Sequence, residues 1–598
     1  MCGIFGFSGK IDPLETLSIG LKRLEYRGYD SWGMCYRNVN GEVLLTKEIG
    51  KLPLENKAMP LVINSARTTY LSGIAHTRWA THGGVTKVNA HPHLANNNEF
   101  ALAQNGIVEN YQELKLELEN SGYVFKTQTD TEIIVALIEK AQSISNSLLD
   151  AVIKAFLLLK GRNTIIVYET ITGQIIAIKN GSPLVVGKKD GDIYIGSDYL
   201  SFSNHTNNIL EMSDYEGVVI NTAVTKFRIN DNSYQEIEAK FNTVNKIDEE
   251  IDKGGFADFM LKEIYEQPHT VINATNYNLA ELEPVISALK NANQIYTLGC
   301  GTAAYAAGQC AYYLREIAKL KAIELKGYDL SGYREVFKPG DVLIAISQSG
   351  ETADTIDSVN YLLAKGGKVI SLVNMLGSTL SKIAQISLYS RTGPEICVAS
   401  TKAFTAQISW SLLIAKSIVG EYAEAKTEIS SISKTIDSYL INEIEQQKIK
   451  QVVKIFSKAE HVFVLGKGQN YYIALEGALK IKEISYKHFE GFTAGELKHG
   501  VIALVETNTP IIAILSEDEH YAEMLSAVAE VKVRGAVVIG VSPQSNSLFD
   551  YHLNVEKLEL GSAIANIIPF QLIAYYLGKE LGRNVDRPRN LAKSVTVK

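Results

Sequence analysis

The second residue of the chain is a cysteine, in the opening Met-Cys-Gly-Ile. Removal of Met1 would leave Cys2 with a free α-amine, pKa ~7.7–8, able to act as general base to its own thiol. Read alone, it is better taken as a plain cysteine before a glycine turn. His76-Thr-Arg-Trp-Ala-Thr-His-Gly83 is polar and aromatic and follows an apolar strand. Arg78 has the fork geometry that grips a carboxylate; a surface loop with a structural Trp79 would use the same residues. Gln104-Asn-Gly106 offers an amide and a glycine N–H, the donors of an oxyanion hole and also of an ordinary turn. Thr129-Asp-Thr-Glu132 predicts a helix N-cap, with Asp130 also able to meet a ligand amine. His91-Pro-His93 invites a zinc reading, but it lacks the i, i+4 spacing and nearby carboxylates, so no metal is expected there.

The second half carries a different chemistry. Ser347-Gln-Ser-Gly-Glu-Thr352 follows the apolar run Val342–Ile346 and precedes a helix. Its hydroxyls, amide and helix N–H groups make an uncharged cradle suited to a phosphate ester. Val398-Ala-Ser-Thr-Lys-Ala403 adds hydroxyls and an amine. Gly299-Cys-Gly-Thr-Ala-Ala304 fits a dinucleotide fingerprint only loosely and serves as well for any phosphate. Glu476, Lys480, Glu483 and Lys487 fall at i, i+4, i+7 and i+11, one charged stripe on a helix near 473–487. A solvated salt-bridge face is the ordinary reading. However, apolar residues cover most of the remaining circumference, which implies burial around a polar cavity. As a histidine, His499 could move protons, though a lone histidine is more often structural.

Positioning these groups requires several elements. The 598 residues leave room for about four domains. Hydrophobic residues make up 46% and charged residues 21%, which excludes a largely disordered chain. A net charge of −7 gives no electrostatic case for nucleic acid or a membrane surface. Five scattered cysteines exclude a disulfide scaffold and suit a reducing cytosol. No signal peptide is recognisable, and the apolar stretch Ser562 to Gly578 is too short and too interrupted to span a bilayer. A cytoplasmic protein is expected.

Residues 1–240 read as short strands between Gly and Asn turns, with helices near 110–121, 131–143 and 147–160, an α+β sandwich. Residues 241–284 read as a charged linker and lead-in helix. Strands and helices then alternate, as in a doubly wound parallel sheet. This part is duplicated: 295–301 matches 462–468, and 341–346 and 366–373 match 509–514 and 534–541, at an offset of 167–168 residues. The expected domains are 285–425 and 452–582. The tail 583–598 shows no periodicity.

Together these motifs resemble the glucosamine-6-phosphate synthase family, the isomerising glutamine–fructose-6-phosphate aminotransferases. The resemblance is carried over the whole chain by MCGI at 1–4, LEYRGYDS at 24–31, GIAHTRWATHG at 73–83, NGIVEN at 105–110, SQSGETADT at 347–355, VASTKAFT at 398–405, ALEGALKIKEISY at 474–486, GELKHG at 495–500 and RPRNLAKSVTV at 587–597. It implies an Ntn-type αββα glutaminase sandwich, two sugar-isomerase (SIS) domains and a catalytic tail. It implies glutamine and fructose 6-phosphate as substrates, no cofactor, and a homodimer.

By that resemblance Cys2 is the nucleophile, and Asn105 and Gly106 form the oxyanion hole. Arg78 and Asp130 hold the glutamine carboxylate and amine, Trp79, Thr81 and His82 line the site, and Arg27 steadies Cys2. Cys300, Gly301, Thr302, Ser347, Gln348, Ser349 and Thr352 would hold the sugar phosphate, with Val398 and Ser400 lining the pocket. Lys593 would form the Schiff base, facing Glu483 and the 347–352 loop. Glu483 would shuttle the proton with help from Lys480, and His499 of each subunit would open the sugar ring in the other's site. Gln104, Ala303, Trp32 and Val501 depart from the family pattern. Two other readings stay open: an amidotransferase for another sugar phosphate, and a SIS-domain sensor with an inactive glutaminase.

Overall fold

A computed structural model of the protein describes residues 2–53, 60–65, 70–231, 233–244 and 252–595. The chain forms two compact units, one within residues 2–244 together with 594–595, the other within 252–593. Among the described residues, no helix is long and apolar enough to cross a membrane.

The first unit holds two antiparallel sheets. The nine-stranded sheet runs Asn242–Thr243, Asn208–Glu211, Val185–Lys189, Asp192–Gly196, Gly3–Gly9, Leu71–Arg78, Ser31–Arg37, Glu42–Ile49 and Leu61–Ser65. The seven-stranded sheet includes Phe100–Gly106, Asn163–Glu169 and Ile175–Lys179 as neighbours. Side chains alternate across each strand, so one strand serves two cores. Ile4 and Ile74 of the first sheet pack between the sheets with Ala101, Ala103 and Ile166 of the second. Phe5 and Phe7 point the other way, onto Leu17 and Leu21 of the helix Pro13–Arg23. Phe100 and Leu102 face the helices Thr131–Gln142 and Leu148–Leu157. The result is a helix–sheet–sheet–helix sandwich.

The second unit begins with three helices, Phe259–Tyr265, Gln267–Ala274 and Leu279–Lys290. Two five-stranded parallel sheets of identical strand order follow. The first runs Ala322–Lys326, Ile295–Gly299, Val342–Ser347, Lys368–Val373 and Ile386–Tyr389. The second runs His488–Thr493, His461–Gly466, Pro510–Ile514, Val537–Ser542 and Tyr551–Asn554. In each, the chain order reverses beside the first strand, and ligands bind at that switch point, off the carboxyl ends of the strands. Helices Thr302–Glu316 and Tyr471–Ser485 bring the two copies together; Gly308 lets Tyr472 lie where a Cβ would sit 2.2 Å from its ring.

The end of the chain, expected to be aperiodic, has no helix or strand among the described residues 583–595 but is pinned at several points. Val585 is buried in the core, Asp586 accepts from the Met260 N–H at 2.8 Å, and its carbonyl accepts from Val398 at 3.0 Å. Arg583 and Arg589 lie over the Tyr486 ring at 5.1 and 4.4 Å. Residues 596–598 lie outside the described residues.

Candidate active sites

In the first unit, Cys2 stands at the head of the strand Gly3–Gly9, between the strand Leu71–Arg78 and the Ser197 corner. Its Sγ accepts from the Trp79 N–H at 3.2 Å. Burial pushes the thiol above its ordinary pKa, while the Trp79 N–H and Arg78 act in the opposite direction. Met1, whose removal the amine requires, lies outside the described residues. The Asn105 Nδ2 donates to the Cys2 carbonyl at 3.1 Å and to Ser197 Oγ at 2.9 Å. Gly106 has φ +148°, and a Cβ there would sit 2.1 Å from the Arg162 carbonyl, so the backbone after Asn105 admits only glycine. Arg27 reaches the Cys2 carbonyl at 3.4 Å and is held by Asp198 at 3.5 Å; Tyr26 bonds the same carboxylate.

The rest of the expected glutamine site is brought near but differently occupied. Arg78 gives its N–H groups to the carbonyls of His82, Gly83 and Gly84, folding the 79–84 loop around its guanidinium. Trp79 meets Tyr29 edge-on, His82 lies against the Tyr111 ring, and Thr81 is exposed. Asp130 sits at the N-cap but its side chain does not cap the helix. It accepts from the Val108 N–H at 2.8 Å, and burial raises its pKa. Glu132 receives the chain instead, accepting from Lys126 and Thr127 N–H at 2.8 and 2.7 Å. The expected side-chain cap by this motif is therefore replaced by a carboxylate that folds the preceding loop. His91 and His93 bond Thr131 and Thr129 at 3.1 and 3.0 Å.

In the second unit the loops after Gly299 and Ser347 emerge side by side, because their strands pair in parallel. Ser347 Oγ accepts from the Gly350 N–H at 2.9 Å, which leaves its own proton for an anion. Ser349 Oγ accepts from Glu351 at 3.2 Å, and Thr352 caps the helix Ala353–Ala364 through its backbone alone. The Gln348 carbonyl accepts from Asn374, and Cys300 Sγ lies 3.5 Å from Thr355 Oγ1. Gly301, φ +58°, turns the chain into the helix that begins at Thr302. The corresponding loop of the second copy reads Ser516-Glu-Asp-Glu519. Three carboxylates there, Glu517, Asp518 and Glu519, stand against the single Glu351 of the first loop, so an anion is disfavoured in the second copy.

Thr302 Oγ1 donates to Glu476 at 3.2 Å, joining the cradle to the charged stripe. The stripe is buried: the side chains of Glu476 and Lys480 are 0% and 1% exposed, Glu483 20%. Lys480 lies 3.5 Å from Glu476 and 2.5 Å from Glu483. Burial disfavours its charge, but the two carboxylates outweigh this and raise its pKa. Burial raises Glu476 to about 8. Lys487 lies past the helix end and bonds the Ala459 carbonyl, so it leaves the stripe.

Lys593 turns inward, its side chain 5% exposed, but its partner is Glu395 rather than Glu483. A buried ammonium must be paired, and Glu483 is already engaged by Lys480. Glu395 was not legible as a site residue. It accepts from Ser400 Oγ at 2.8 Å and from the N–H groups of Thr401 and Ala403 at 2.9 and 3.1 Å. Burial opposes its charge, but Lys593 and these donors hold its pKa below the usual range. Glu263, beneath it, is raised to about 8 by burial and by the Glu395 charge, and accepts from the Ile396 and Cys397 N–H groups. Val398 is buried between them and the tail. His499 is exposed on the turn Glu496–His499 and bonds none of these groups.

A glutamine amidotransferase domain model matches residues 76–204, and a SIS domain model matches 288–416 and 455–577. Glutamine–fructose-6-phosphate aminotransferases (isomerizing) from Chlorobaculum tepidum and Pyrococcus horikoshii are each 37% identical to this chain, over all of both chains. The chain belongs to that family. The solved C-terminal domain of the glucosamine-fructose-6-phosphate aminotransferase from Francisella tularensis is 33% identical, with a TM-score of 0.52, and covers 56% of this chain and 100% of its own. The family match thus spans both units, and each unit carries one of the two candidate sites.

Proposed function

We propose that this chain converts fructose 6-phosphate and glutamine to glucosamine 6-phosphate and glutamate, with Cys2 and Lys593 as its two nucleophiles. The observation that supports it best is the pairing, in one family chain, of a cysteine beside amide donors with a buried lysine–carboxylate site next to a hydroxyl cradle. The Cys2 thiolate adds to the glutamine amide carbon. The oxyanion is met by Asn105 Nδ2 and the Gly106 N–H; the α-amine, having taken the thiol proton, gives it to the amide nitrogen as the C–N bond breaks, and ammonia leaves. Water then releases glutamate from the thioester.

In the second unit, Thr302, Ser347, Gln348, Ser349 and Thr352 hold the phosphate. Lys593, freed of its proton to Glu395, adds to the ketose carbonyl and expels water; ammonia displaces the lysine. Glu483 takes the proton from C1 and returns it at C2, leaving an aldehyde and an amine, while Lys480 balances its charge. His499, offered to the partner of a homodimer, opens the ring. The enzyme works in the cytoplasm without metal or nucleotide. Glucosamine 6-phosphate should appear when glutamine and fructose 6-phosphate are supplied alone; glutamate release without amino sugar would overturn the reading.

A further inference from the structure

The imidazole of His76 lies wholly buried on the strand Leu71–Arg78, directly behind Asn105. Its Nε2 is 3.1 Å from the Gln104 carbonyl and 3.1 Å from Asn105 Oδ1. A carbonyl oxygen only accepts, so this nitrogen must carry the proton. The same logic fixes the other end of the amide. Asn105 Nδ2 is 3.1 Å from the Cys2 carbonyl, another pure acceptor, and 2.9 Å from Ser197 Oγ, which itself receives the Ile4 N–H at 2.8 Å. Turning the amide over would place its oxygen against the Cys2 carbonyl and its NH2 against a donor.

The surroundings leave the ring no alternative. Its face stacks on His91 at 4.4 Å between centroids. Its Nδ1 is buried without a partner, so a second proton there would have no acceptor. His91 is fixed in turn: Thr131 Oγ1 gives its proton to Gln104 Oε1 at 2.6 Å and therefore accepts from His91 Nε2 at 3.1 Å. Gln104 Nε2 donates to Asn163 Oδ1 at 2.6 Å, and Asn163 Nδ2 to the Lys160 carbonyl at 3.1 Å. Each polar hydrogen in this chain of groups has a single direction. Gln104 does this with an amide that does not titrate. Burial pushes the His76 pKa down to about 3, so the ring stays neutral, with its one proton on Nε2, through the working range.

We infer that His76 is a positioning residue for the glutaminase reaction: its Nε2–H holds the Asn105 amide with Nδ2, not Oδ1, on the Cys2 side, where the hydrogen now given to the Cys2 carbonyl turns to the developing oxyanion while the other stays on Ser197 Oγ. This rests on the proposed roles of Cys2 and Asn105. An amide free to turn over would set a lone pair against that negative charge, which removes a transition-state interaction and spares ground-state binding.

The test is a double-mutant cycle on glutamine hydrolysis in the full chain. His76→Phe keeps the ring and removes the donor; kcat should fall about 10²-fold while KM stays within about threefold. His76→Gln restores a donor and should recover about tenfold of that loss. In an Asn105→Ala background His76→Phe should cost nothing further. Fructose 6-phosphate isomerisation and Cys2 alkylation by iodoacetamide at parental rates show that the chain is folded. Should the Phe variant fail that check, the cycle is read with His76→Met. Parental kcat in the donor-free variant, additive losses in the double variant, or a Gln variant no better than Phe would overturn the role of His76. Parental hydrolysis in Cys2→Ala would overturn the glutaminase reading itself, and the inference with it.

Discussion

Glu483 keeps part of its carboxylate open while Glu476 and Lys480, within two turns of the same helix, are sealed. Only an open group can meet a sugar carbon. Glu476 is better suited to holding Lys480 and Thr302 in place. Glu483→Gln keeps shape and hydrogen bonding and removes basicity, so turnover should drop about 10²–10⁴-fold with fructose 6-phosphate still bound. Near-parental turnover, read by coupled assay, would return the stripe to a structural ion pair. Lys593 makes a second case. Borohydride added with fructose 6-phosphate should reduce an imine on Lys593, found by peptide mapping; a label on Lys480 or Lys402 instead would overturn the assignment. At this scale the sequence exposed groups that lie in recognisable motifs and hid those that work through them. The 3–4 spacing of Glu476, Lys480 and Glu483 against an apolar background was readable as burial. Glu395 had no such signal, because its burial comes from the tail and the lead-in helices, far away in sequence. Ser197 and Asp198, at the end of a plain strand, were hidden for the same reason.

His76 sits on the nine-stranded sheet, while His93 belongs to a strand of the seven-stranded one, with His91 stacked against His76 and tilted onto His93. This histidine cluster ties the two layers together behind the active corner. Burial lowers all three pKa values below the ordinary 6.5. The folded state therefore holds them neutral, and the unfolded state binds protons once the pH drops below about 6.5. Stability is intact above that pH and is lost as the pH falls, each histidine adding a slope of about 1.4 kcal/mol per pH unit. His93→Gln removes one of these protons. The urea midpoint of the first unit should then fall less between pH 7 and pH 5 than in the parent; an equal fall would show that the cluster does not set acid stability. The elements themselves were largely readable, since the helices Tyr111–Asn120, Thr131–Gln142 and Leu148–Leu157 follow clear apolar spacing. The joints were not. Glu132 closes its loop by reaching back to Lys126 and Thr127, where a local reading favours Thr129 as the cap.

Across the whole molecule, the duplication was visible as three strand motifs in register, and the structure gives them the same strand order. The copies have diverged in charge: hydroxyls at 347–352 face carboxylates at 517–519 in the equivalent loop. On the proposed roles, one copy holds the phosphate and the helix of the other, Tyr471–Ser485, moves the proton, with Thr302 joined to Glu476 between them. The proposed roles give the two chemistries separate residues, which has a direct consequence. Cys2→Ala should abolish glutamate release and amino-sugar formation, because no other group in its unit combines a thiol with the Asn105 and Gly106 donors. It should leave the interconversion of fructose 6-phosphate and glucose 6-phosphate running, since Lys593, Glu483 and the cradle are untouched. Loss of both activities together would mean that the two chemistries share more than a chain. In that case Cys2 would have to be read as a structural residue of the sandwich, and the terminal thiol as the plain cysteine that its position alone suggested.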